Sequence, residues 1–457
     1  TRLAQLGFSV VLAEAARFPR RHLGESLTPG VRPLLASFGA ASALEGPGVL
    51  PVRRLRVHWE TAPRWREEPE GHGVVVDRGL FDLRLLQQAR RQGVRVLQPA
   101  RVRSRPWNGR DWILTLDSGR GPGAVRCRFV ADASGRRSPF SGPRRRMGHP
   151  TVALHAYWRG TSLPDEPCME AGPRAWYWGV PLPDGTYNTL VFADRDGLRP
   201  RSGDPATLSA RFEALLEESS LLKGCRDRRR LTRVAAVDAT AWHSEDCVSP
   251  ASIRVGDAAL ALDPLSSSGV QKALQSALSG ALVINTLLRR PELQSAALAF
   301  HRHAVASASE RHRRWTSSHY AEAARWRPDP FWTARTADGP ASESSAAAPP
   351  PRLPSRQECL VRSAGLEWVE LPCLGDQFVE LRSAVRHPRL DGPVAFVGGW
   401  ELAPLVRGLP EVIRAQELVD RVAALAPGPR SGELAHWLVV HQLWVPEPGA
   451  GASPPSP

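Results

Sequence analysis

RVGDAALALDPLSSSGVQKAL, residues 254–274, combines the end of a strand, a short acidic side chain and a turn that opens a helix. A carboxylate placed like Asp257, directly after a strand, is suited to hold a sugar-like hydroxyl. Pro264 and the Ser/Gly turn after it begin a helix, whose free N–H groups and positive dipole end favour an electron-rich ring. The side chains and backbone positions predicted to bind such a ligand are Asp257, Pro264, Ser268 and Gly269.

The turn at residues 265–269 offers two kinds of contact. Its backbone N–H groups are expected to face the edge of the ring, because the first N–H groups of a helix have no partner within the helix. At least two of the hydroxyls of Ser266, Ser267 and Ser268 are expected to cap the helix, since serine is a preferred N-cap residue.

The N-terminal segment predicts the nucleotide side of the same site. TRLAQLG and FSVVLAEA predict the last turns of a helix, a stop at Gly7 and a buried strand that ends at Glu14. In a dinucleotide-binding βαβ unit, an acidic residue on the ribose follows a G-x-G-x-x-G loop by about 20 residues. Since only thirteen residues precede Glu14, we expect that the loop and the first strand precede Thr1 or that the loop has degenerated.

Four segments in order resemble the FAD-dependent aromatic hydroxylase and halogenase superfamily. They are AEAARFPRRHLGESL (13–27), VDRGLFDLRLLQQARRQGV (76–94), VADASGRRS (130–138) and residues 254–274. The second contains the superfamily's Arg-x-x-Phe-Asp-x-x-Leu helix, and the third contains its Asp-Ala-(Ser/Thr)-Gly turn. The resemblance implies FAD as cofactor and NAD(P)H as electron donor, with Glu14 on the adenosine ribose and Asp257 on the flavin ribityl chain.

The same resemblance implies an α/β architecture, in which a Rossmann-like FAD-binding domain is interleaved with a β-sheet-based substrate domain. The Pro/Ser/Ala-rich run before residue 355 indicates a linker. GELAHWLVVHQLWVP (432–446) predicts a helix that runs into a short strand, as in winged-helix units, within a small α+β module. The first FAD-binding part is expected over residues 1–146, with a substrate-domain insertion near 50–72. The substrate domain is expected over 147–248, and the second FAD-binding part with its helices over 249–336, including a helix over 299–335. A linker at 337–357 and a C-terminal module at 358–457 are expected to follow.

From the composition we predict no nucleic-acid partner, no membrane partner and no metal. The net charge is +14, but only Lys223 and Lys272 are lysines; the arginine bias is typical of a GC-rich genome and of solvated faces, so no nucleic-acid partner is predicted. No apolar run reaches the roughly 18 residues of a membrane span and no secretory signal opens the chain, which predicts a cytoplasmic enzyme without a membrane partner. The six cysteines show no C-x-x-C pair or zinc spacing, so no metal is predicted.

The distribution of lysines bears on the reaction. Halogenases of the superfamily use a lysine between the GES-type motif and the Arg-x-x-Phe-Asp helix to handle hypohalous acid. This chain has no lysine before Lys223, and Lys272 follows the flavin-type turn. Arginine stays protonated up to a pKa above about 12 and is a poor nucleophile. The pattern therefore disfavours halogenation.

AWYWGVP, residues 175–181, resembles the W-x-W-x-(I/V)-P signature of halogenases. Two interpretations of Trp176, Trp178 and Pro181 stay open. They line a substrate channel near the flavin, or the tryptophans pack on one face of a strand, which a period of two would also produce.

Within the superfamily, the chain is most similar to flavoproteins that hydroxylate a tryptophan during maturation of quinohemoprotein amine dehydrogenase. The similarity lies in GESLTPGVRPLL (24–35), the WYWGVP strand, PFWTAR (330–335) and AVRHPRLDGPVAFVGGWELAPLV (384–406). It implies oxygen transfer to an electron-rich aromatic substrate such as a tryptophan side chain in a precursor protein, held by the C-terminal module.

Other functions and the proton-transfer groups stay open at this level. The alternatives are a tryptophan-type halogenase, a flavin-linked reductase of the isoprenoid-reductase type, and a non-catalytic binding remnant. No catalytic residue is assigned. The candidate general bases are His22, His155 and Asp263, while Glu25 and Ser26 fit a turn and an active site equally well.

Overall fold

Residues 254–274 form a strand end, a turn and a helix, as their sequence predicts. In the computed structural model of the chain, short 3-10 turns at Gly256–Ala258 and Pro264–Ser266 connect this strand to a helix that begins at Gly269. Gly256 has a φ of +60°, a conformation that glycine adopts without steric cost. This turn presents Asp257 at the carboxyl end of the strand. The structure describes residues 1–67, 73–118, 121–138, 140, 142–161, 163–198, 207–336 and 352–447.

The secondary structure of the described residues mixes helices with many short strands. The helices are α1 Arg2–Gln5, α2 Val31–Ala36, α3 Arg78–Arg91, α4 Leu208–Glu217, α5 Gly269–Arg289, α6 Gln294–Trp326, α7 Pro330–Thr336, α8 Leu402–Gly408, α9 Ala415–Leu425 and α10 Ser431–Val440. The strands are β1 Val11–Ala13, β2 Ser26–Leu27, β3 Val49–Pro51, β4 Arg54–His58, β5 Arg64–Glu67, β6 Val74–Val76, β7 Arg95–Leu97, β8 Ala100–Ser104, β9 Trp112–Ser118, β10 Gly121–Cys127, β11 Val130–Asp132, β12 Arg144–Arg146, β13 Thr151–Arg159, β14 Cys168–Ala171, β15 Ala175–Pro181, β16 Tyr187–Asp194, β17 Arg229–Arg230, β18 Ala235–Asp238, β19 Trp242–Ser244, β20 Val248–Ser249, β21 Ser252–Arg254, β22 Leu260–Ala261, β23 Cys359–Arg362, β24 Glu367–Leu374, β25 Val379–Arg386, β26 Phe396–Val397, β27 Trp400–Glu401, β28 Val412–Arg414 and β29 Trp444–Pro446.

Contacts divide the chain into two units. The first comprises Thr1–Gln294 and His301–Ala341, and the second comprises Ser295–Phe300 and Ser342–Pro457. Most of the predicted linker, at residues 337–351, lies outside the described residues, as do residues 68–72 of the predicted insertion.

Parallel strand pairs and helices form the α/β part of the first unit. Strand β1 pairs in parallel with β7, and β11 pairs in parallel with β21. Two three-stranded antiparallel sheets, β10-β9-β8 and β2-β6-β3, accompany these pairs. The predicted α/β fold class is therefore confirmed.

An eight-stranded sheet forms the other part of the first unit. Its strand order is β17-β13-β16-β15-β14-β4-β5, and β18 also pairs with β13. Strand β4 comes from the segment near residue 50 and joins β14 in parallel, with Met169 opposite Val57. Chain segments that are distant in sequence thus share one sheet.

The two faces of this sheet bury different sets of side chains, because successive residues of a strand point to opposite faces. One face packs against α4 through a buried cluster that includes Leu154, Trp158, Tyr177, Phe212 and Leu216. The other face packs against α6, α7 and the turn before α5 through a second buried cluster, which includes Trp59, Trp176, Phe192, Leu265, Tyr320 and Trp332.

The second unit has its own core and an α+β organisation. Strands β28-β23-β29 form one sheet, and β24 and β25 form a hairpin. From α8 onward the order is helix, strand, helix, helix, strand, the order of a winged-helix unit, while β23 supplies the central strand from earlier in the chain. Its buried cluster includes Leu360, Val406, Ile413, Leu418, Leu438 and Trp444.

Two local predictions are wrong. The helix predicted over 299–335 is two helices, because α6 ends at Trp326 and α7 begins at Pro330. Proline lacks an N–H and disfavours helical backbone in the residue before it, and prolines occupy positions 328 and 330. The strand before Glu14 is also less buried than predicted, with Val11 38% exposed. Among the described residues, β1 pairs with β7 alone, so one of its edges is open.

The described residues contain neither a membrane-spanning helix nor a metal cluster. No helix among them is long and apolar enough to cross a membrane. No group of three or more His, Cys, Asp or Glu side chains converges there as a metal site would require. All six cysteines are free thiols.

Candidate active site

Asp257 forms two charge contacts at the carboxyl end of β21. The Lys272 ammonium donates to its Oδ1 at 2.7 Å, and Arg136 Nε lies 3.8 Å from its Oδ2. Lys272 also donates to the Leu260 carbonyl. The Lys272 side chain is only 11% exposed, whereas that of Asp257 is 37% exposed. Burial lowers the pKa of Lys272, and the neighbouring Asp257 carboxylate opposes that shift. Asp257 is therefore held in one orientation with part of its carboxylate open to a ligand.

The first turn of α5 has no side-chain cap. Ser268 occupies the N-cap position without a capping hydrogen bond, and its hydroxyl lies 2.7 Å from that of Ser266. The predicted serine caps are therefore wrong. The serine hydroxyls do not cap α5 because Ser267 has a left-handed φ of 50°, which redirects the backbone before the helix. Gly269 is exposed, and a Cβ built there would meet nothing within 4 Å. The start of α5 is thus uncapped by a side chain, and the space beside Gly269 is open.

The Asp-Ala-Ser-Gly segment places Arg136 against Asp257. Asp132 is buried and accepts from the backbone N–H of Ser134 at 3.0 Å. Arg136 follows in the same turn and donates to the carbonyls of Thr240 and Leu262. These hydrogen bonds fix the Arg136 guanidinium beside Asp257. The Asp-Ala-Ser-Gly motif therefore helps to position a positive charge next to the Asp257 carboxylate.

The Arg-x-x-Phe-Asp helix positions the GES segment. Arg78 pairs with Asp82 at 3.1 Å within α3. It also donates to the carbonyl oxygens of Leu23 at 2.8 Å and Gly24 at 3.1 Å. Because these carbonyls directly precede Glu25, the arginine of this motif fixes the backbone from which the Glu25 side chain projects.

Glu25 is a buried carboxyl group that connects the GES segment to the eight-stranded sheet. It is 5% exposed, and its Oε1 accepts from the Tyr157 hydroxyl at 2.9 Å and from Asn188 Nδ2 at 3.0 Å. Its Oε2 accepts from the Gly24 N–H at 3.0 Å. Burial raises the pKa of Glu25, and the hydrogen bonds from Tyr157 and Asn188 offset part of this rise.

Replacing Glu25 with glutamine is expected to remove a pH dependence of stability. A carboxyl group with a raised folded-state pKa contributes stability that is full below its ordinary value of 4.5 and is lost as pH rises through the folded pKa. The free energy of unfolding of Glu25→Gln relative to wild type should therefore increase with pH above about 4.5, by at most about 1.4 kcal/mol per pH unit. Denaturant titrations from pH 4 to 8 measure this difference. A pH-independent difference, matching that of the exposed control Glu45→Gln, would contradict the assignment.

Trp178, Leu190 and His155 form one row across the same face of the eight-stranded sheet, here called the aromatic shelf. Leu190 lies opposite His155 on one side and Trp178 on the other. Trp178 and His155 are half-buried. In the next row, Trp176 is 2% exposed and stacks on Phe192 with ring centroids 3.7 Å apart. Trp176 is thus a core residue in this structure, while Trp178 and the half-buried Pro181 keep exposed surface.

The remaining predicted residues occupy separate environments. Glu14 accepts from the backbone N–H of Ala16 at 2.7 Å, directly after β1. Pro264 begins the 3-10 turn before α5. Asp263 accepts from Leu265 N–H and from the Tyr320 hydroxyl, so both of its oxygens are occupied.

The two candidate histidines differ in their surroundings. His22 is exposed, and its Nδ1 lies 2.7 Å from the Leu23 carbonyl. His155 Nδ1 is buried and has no hydrogen-bond partner among the described residues, and burial lowers the pKa of this imidazole. His155 is therefore a neutral ring within the shelf. No general base is assigned from these contacts.

The sequence profile of the tryptophan halogenase family matches residues 57–348 of the chain. The chain belongs to this family. Tryptophan 2-halogenase of Chondromyces crocatus is 28% identical over 357 residues, which cover 73% of this chain and 67% of that protein. Flavin-dependent halogenase armH4 of Armillaria mellea is 29% identical over 355 residues, with 68% and 66% covered. The alignments thus span about two thirds of these relatives.

Solved structures of related proteins match almost the whole chain. Peptidyl tryptophan dihydroxylase QhpG, essential for tryptophylquinone cofactor biogenesis, is 28% identical with a TM-score of 0.73, covering 96% of this chain and 95% of that one. The flavin-dependent halogenase CmlS is 21% identical with a TM-score of 0.77, covering 97% and 92%, a likeness that shows the fold. As a member of the tryptophan halogenase family, the chain is an FAD-dependent oxidoreductase.

The described residues fit the flavin end of FAD. The open start of α5 offers N–H groups and a positive dipole end to an electron-rich ring edge, and Gly269 leaves room beside it. The exposed part of the Asp257 carboxylate offers an acceptor for a ribityl hydroxyl. FAD, when bound, supplies the oxidation–reduction chemistry that side chains lack.

Sequence reasoning missed the residues that support these positions. The sequence marks Lys272 only by comparison with the halogenase lysine and Arg136 only through its motif, and it assigns no role to Tyr157 or Asn188. Asn188 had one available signal, since it interrupts an apolar strand in YNTLVFAD. A polar residue inside such a strand indicates a buried hydrogen bond.

Proposed function

We propose that this chain hydroxylates an electron-rich aromatic ring, and that its substrate is a tryptophan side chain in a precursor protein. In the balanced reaction, the aromatic C–H compound, dioxygen, NAD(P)H and one proton yield the hydroxylated compound, NAD(P)⁺ and water. One oxygen atom enters the ring, and the nicotinamide supplies the two electrons that reduce the other atom to water. Cytoplasmic localisation stays a prediction.

The positions of the two lysines are the observation that favours hydroxylation over halogenation. Lys223 is exposed, and its neighbours Leu222 and Cys225 pack on the α4 face of the eight-stranded sheet, opposite the aromatic shelf. The Lys272 ammonium is committed to Asp257 and to the Leu260 carbonyl. Lys223 thus lies in a segment on the opposite side of the sheet from the shelf, and the Lys272 ammonium is already paired. An oxidised halide would therefore meet no amine there, which supports oxygen transfer to the substrate.

Similarity to the peptidyl tryptophan dihydroxylase supports a protein substrate. The likeness extends over 96% of the chain and includes the second unit. That unit exposes large apolar side chains on its hairpins, a feature of protein-binding surfaces. They are Trp368, Leu374, Leu381, Phe396 and Trp400. We assign the gripping of the precursor protein to this unit as part of the proposal.

Halogenation is the second candidate reaction. The family match, the tryptophan 2-halogenase relative and the W-x-W-x-V-P strand favour it. It would consume a halide ion together with dioxygen and reduced flavin, and it would exchange a ring hydrogen for halogen.

Product mass distinguishes the two reactions. The purified chain is supplied with FAD, NAD(P)H, dioxygen and a tryptophan-containing peptide, with and without excess chloride or bromide. We expect a gain of one oxygen atom per hydroxylation, label from ¹⁸O₂ in the product, and no dependence on halide.

The matched control is Asp257→Ala, in which product and substrate-dependent NAD(P)H oxidation should both fall with flavin content. Halogenated product at normal flavin content would overturn hydroxylation in favour of the second candidate. NAD(P)H oxidation that yields only hydrogen peroxide with every aromatic tested would overturn both candidates.

A further inference from the structure

The aromatic shelf keeps more exposed surface than the rows on either side of it. Both neighbouring rows consist of buried side chains, which are Trp176, Phe192 and Ala153 on one side and Val180, Asn188 and Tyr157 on the other. In the shelf itself, Trp178 and His155 are half-buried. Within these three rows, the shelf is therefore the part of the sheet face that a flat ligand can reach.

Different elements cover the two neighbouring rows. The buried cluster around Trp176 continues into α6, α7 and the turn before α5. The row of Tyr157 is covered by residues 21–28, because Glu25 accepts from the Tyr157 hydroxyl at 2.9 Å and the Arg21 Cζ lies 4.8 Å from the centroid of the Tyr157 ring. The half-buried shelf lies between these two covers.

Both covers connect the shelf to the uncapped start of α5. On one side, Trp178 packs against the buried cluster that contains Leu265, in the turn before this helix. On the other side, Thr28 donates to the Gln271 side chain in the first turn of α5. Thr28 follows Glu25 by three residues, a span of at most about 11 Å in an extended chain. An aromatic ring on the shelf would therefore lie close to the position that suits the flavin.

His155 is the side chain of the shelf that can accept a proton. Its Nδ1 is buried without a hydrogen-bond partner among the described residues, whereas its Nε2 does not share this burial and no described residue bonds to it. Burial lowers the pKa of the imidazole, so the ring is neutral near pH 7. In the tautomer that carries its proton on Nδ1, the lone pair of Nε2 is free to accept.

The other candidate bases are committed elsewhere. Both carboxylate oxygens of Asp263 accept hydrogen bonds, and both oxygens of Glu25 do so as well. His22 is exposed and belongs to none of the strands of the sheet. Among the bases that the sequence suggests, His155 is therefore the one that combines an available lone pair with a place on the shelf.

We propose that His155 accepts the proton that the aromatic ring loses during hydroxylation. Oxygen transfer forms a C–O bond at a ring carbon that still carries its hydrogen. The C–H bond then breaks, its electron pair restores the aromatic ring, and the proton passes to Nε2 of His155 and from there to solvent. This inference rests on the proposed function, because it takes the shelf as the place where the aromatic substrate binds.

The test compares a tryptophan-containing peptide with its ring-deuterated form in single turnovers of the full chain with FAD. His155→Gln keeps a side chain of similar length without a basic nitrogen, so product formation should slow about 100-fold, the lower end of what a general base contributes. Because proton removal then limits the rate, this variant should convert the deuterated peptide more slowly, whereas wild type should not distinguish the two peptides. The control His303→Ala, exposed on α6, should behave as wild type does.

His155→Ala tests the same role by chemical rescue. Removal of the half-buried ring leaves space at an accessible position, so added imidazole should restore part of the lost rate. A structural role of His155 would give no rescue. Denaturant unfolding of both variants shows whether either loss of rate reflects a loss of folded protein.

Each outcome of these measurements decides the proposal. A wild-type rate in His155→Gln, or slow variants with neither an isotope effect nor imidazole rescue, would overturn it. Halogenated product with the isotope effect in His155→Gln sinks the proposed function alone, since ring halogenation also releases a ring proton. Hydroxylated product that neither His155 variant affects sinks this inference alone, and the absence of any product sinks both.

Discussion

Replacement of Asp257 by alanine is expected to weaken FAD binding at least about tenfold and to destabilise the fold by about 2 kcal/mol. A hydrogen bond to a charged group contributes about 1.5–3 kcal/mol, which sets the loss of cofactor affinity. The stability loss arises because Lys272, whose side chain is 11% exposed, loses its counter-charge at 2.7 Å. Removal of one partner of a fully buried ion pair costs about 3–5 kcal/mol, and the 37% exposure of Asp257 reduces this value.

A double variant separates the two effects of this substitution. Asp257→Ala combined with Lys272→Met removes the unpaired charge, so the free energy of unfolding should return towards that of wild type. FAD binding should stay weak, because the acceptor is still missing. Denaturant unfolding and FAD titration of the four proteins in the cycle measure both quantities. Wild-type FAD affinity in either Asp257 variant would show that this carboxylate does not bind the flavin.

Replacement of Trp176 by alanine is expected to destabilise the protein by about 3–5 kcal/mol, the range for large aromatic side chains in a core. Trp176 is 2% exposed, and its ring stacks on Phe192 with centroids 3.7 Å apart and planes 8° from parallel. It belongs to the cluster that joins the sheet to α6 and α7, so little of the resulting cavity can be filled by collapse.

Trp178→Ala is the informative companion to that variant. Trp178 lies on the same face of the strand but is half-buried, so its loss should cost less stability and should raise KM for the aromatic substrate. Trp326→Ala, at a position 53% exposed, should change the free energy of unfolding by no more than about 0.5 kcal/mol. Equal stability losses for Trp176→Ala and Trp178→Ala would contradict the division between core and shelf. The halogenase-like signature thus has one core tryptophan, Trp176, and one half-buried tryptophan, Trp178, for which a place in the substrate channel stays a prediction.

Local sequence predicted the elements whose signals are also local. The strand end, tight turn and helix of residues 254–274 follow from a β-branched run, a glycine, a proline and a long amphipathic segment. Helix α3 begins where Asp77 caps it and ends two residues before Gly93. The serine caps at Ser268 were wrong because a left-handed residue before it redirects the chain, and propensity alone does not encode that conformation.

Contacts between distant segments were beyond local reasoning. Glu25 and Asn188 are 163 residues apart and meet only because β16 lies in the middle of the eight-stranded sheet. The GES motif predicted that Glu25 matters but not whether it forms a turn or a buried network. Glu25 belongs to a buried network because a carboxyl group enclosed by a sheet must obtain its hydrogen bonds from the strands that enclose it.

The sequence by itself determined the α/β class, the flavin-type turn and the position of Asp257, because each depends on residues within one strand–turn–helix unit. Only the tertiary structure decided which charges hold Asp257, which tryptophan of the 175–181 strand is core, and which side chains bond to Glu25. The physical reason is that burial and pairing are properties of packed surfaces. Strand order brings these surfaces together from segments whose separate sequences carry no record of their partners.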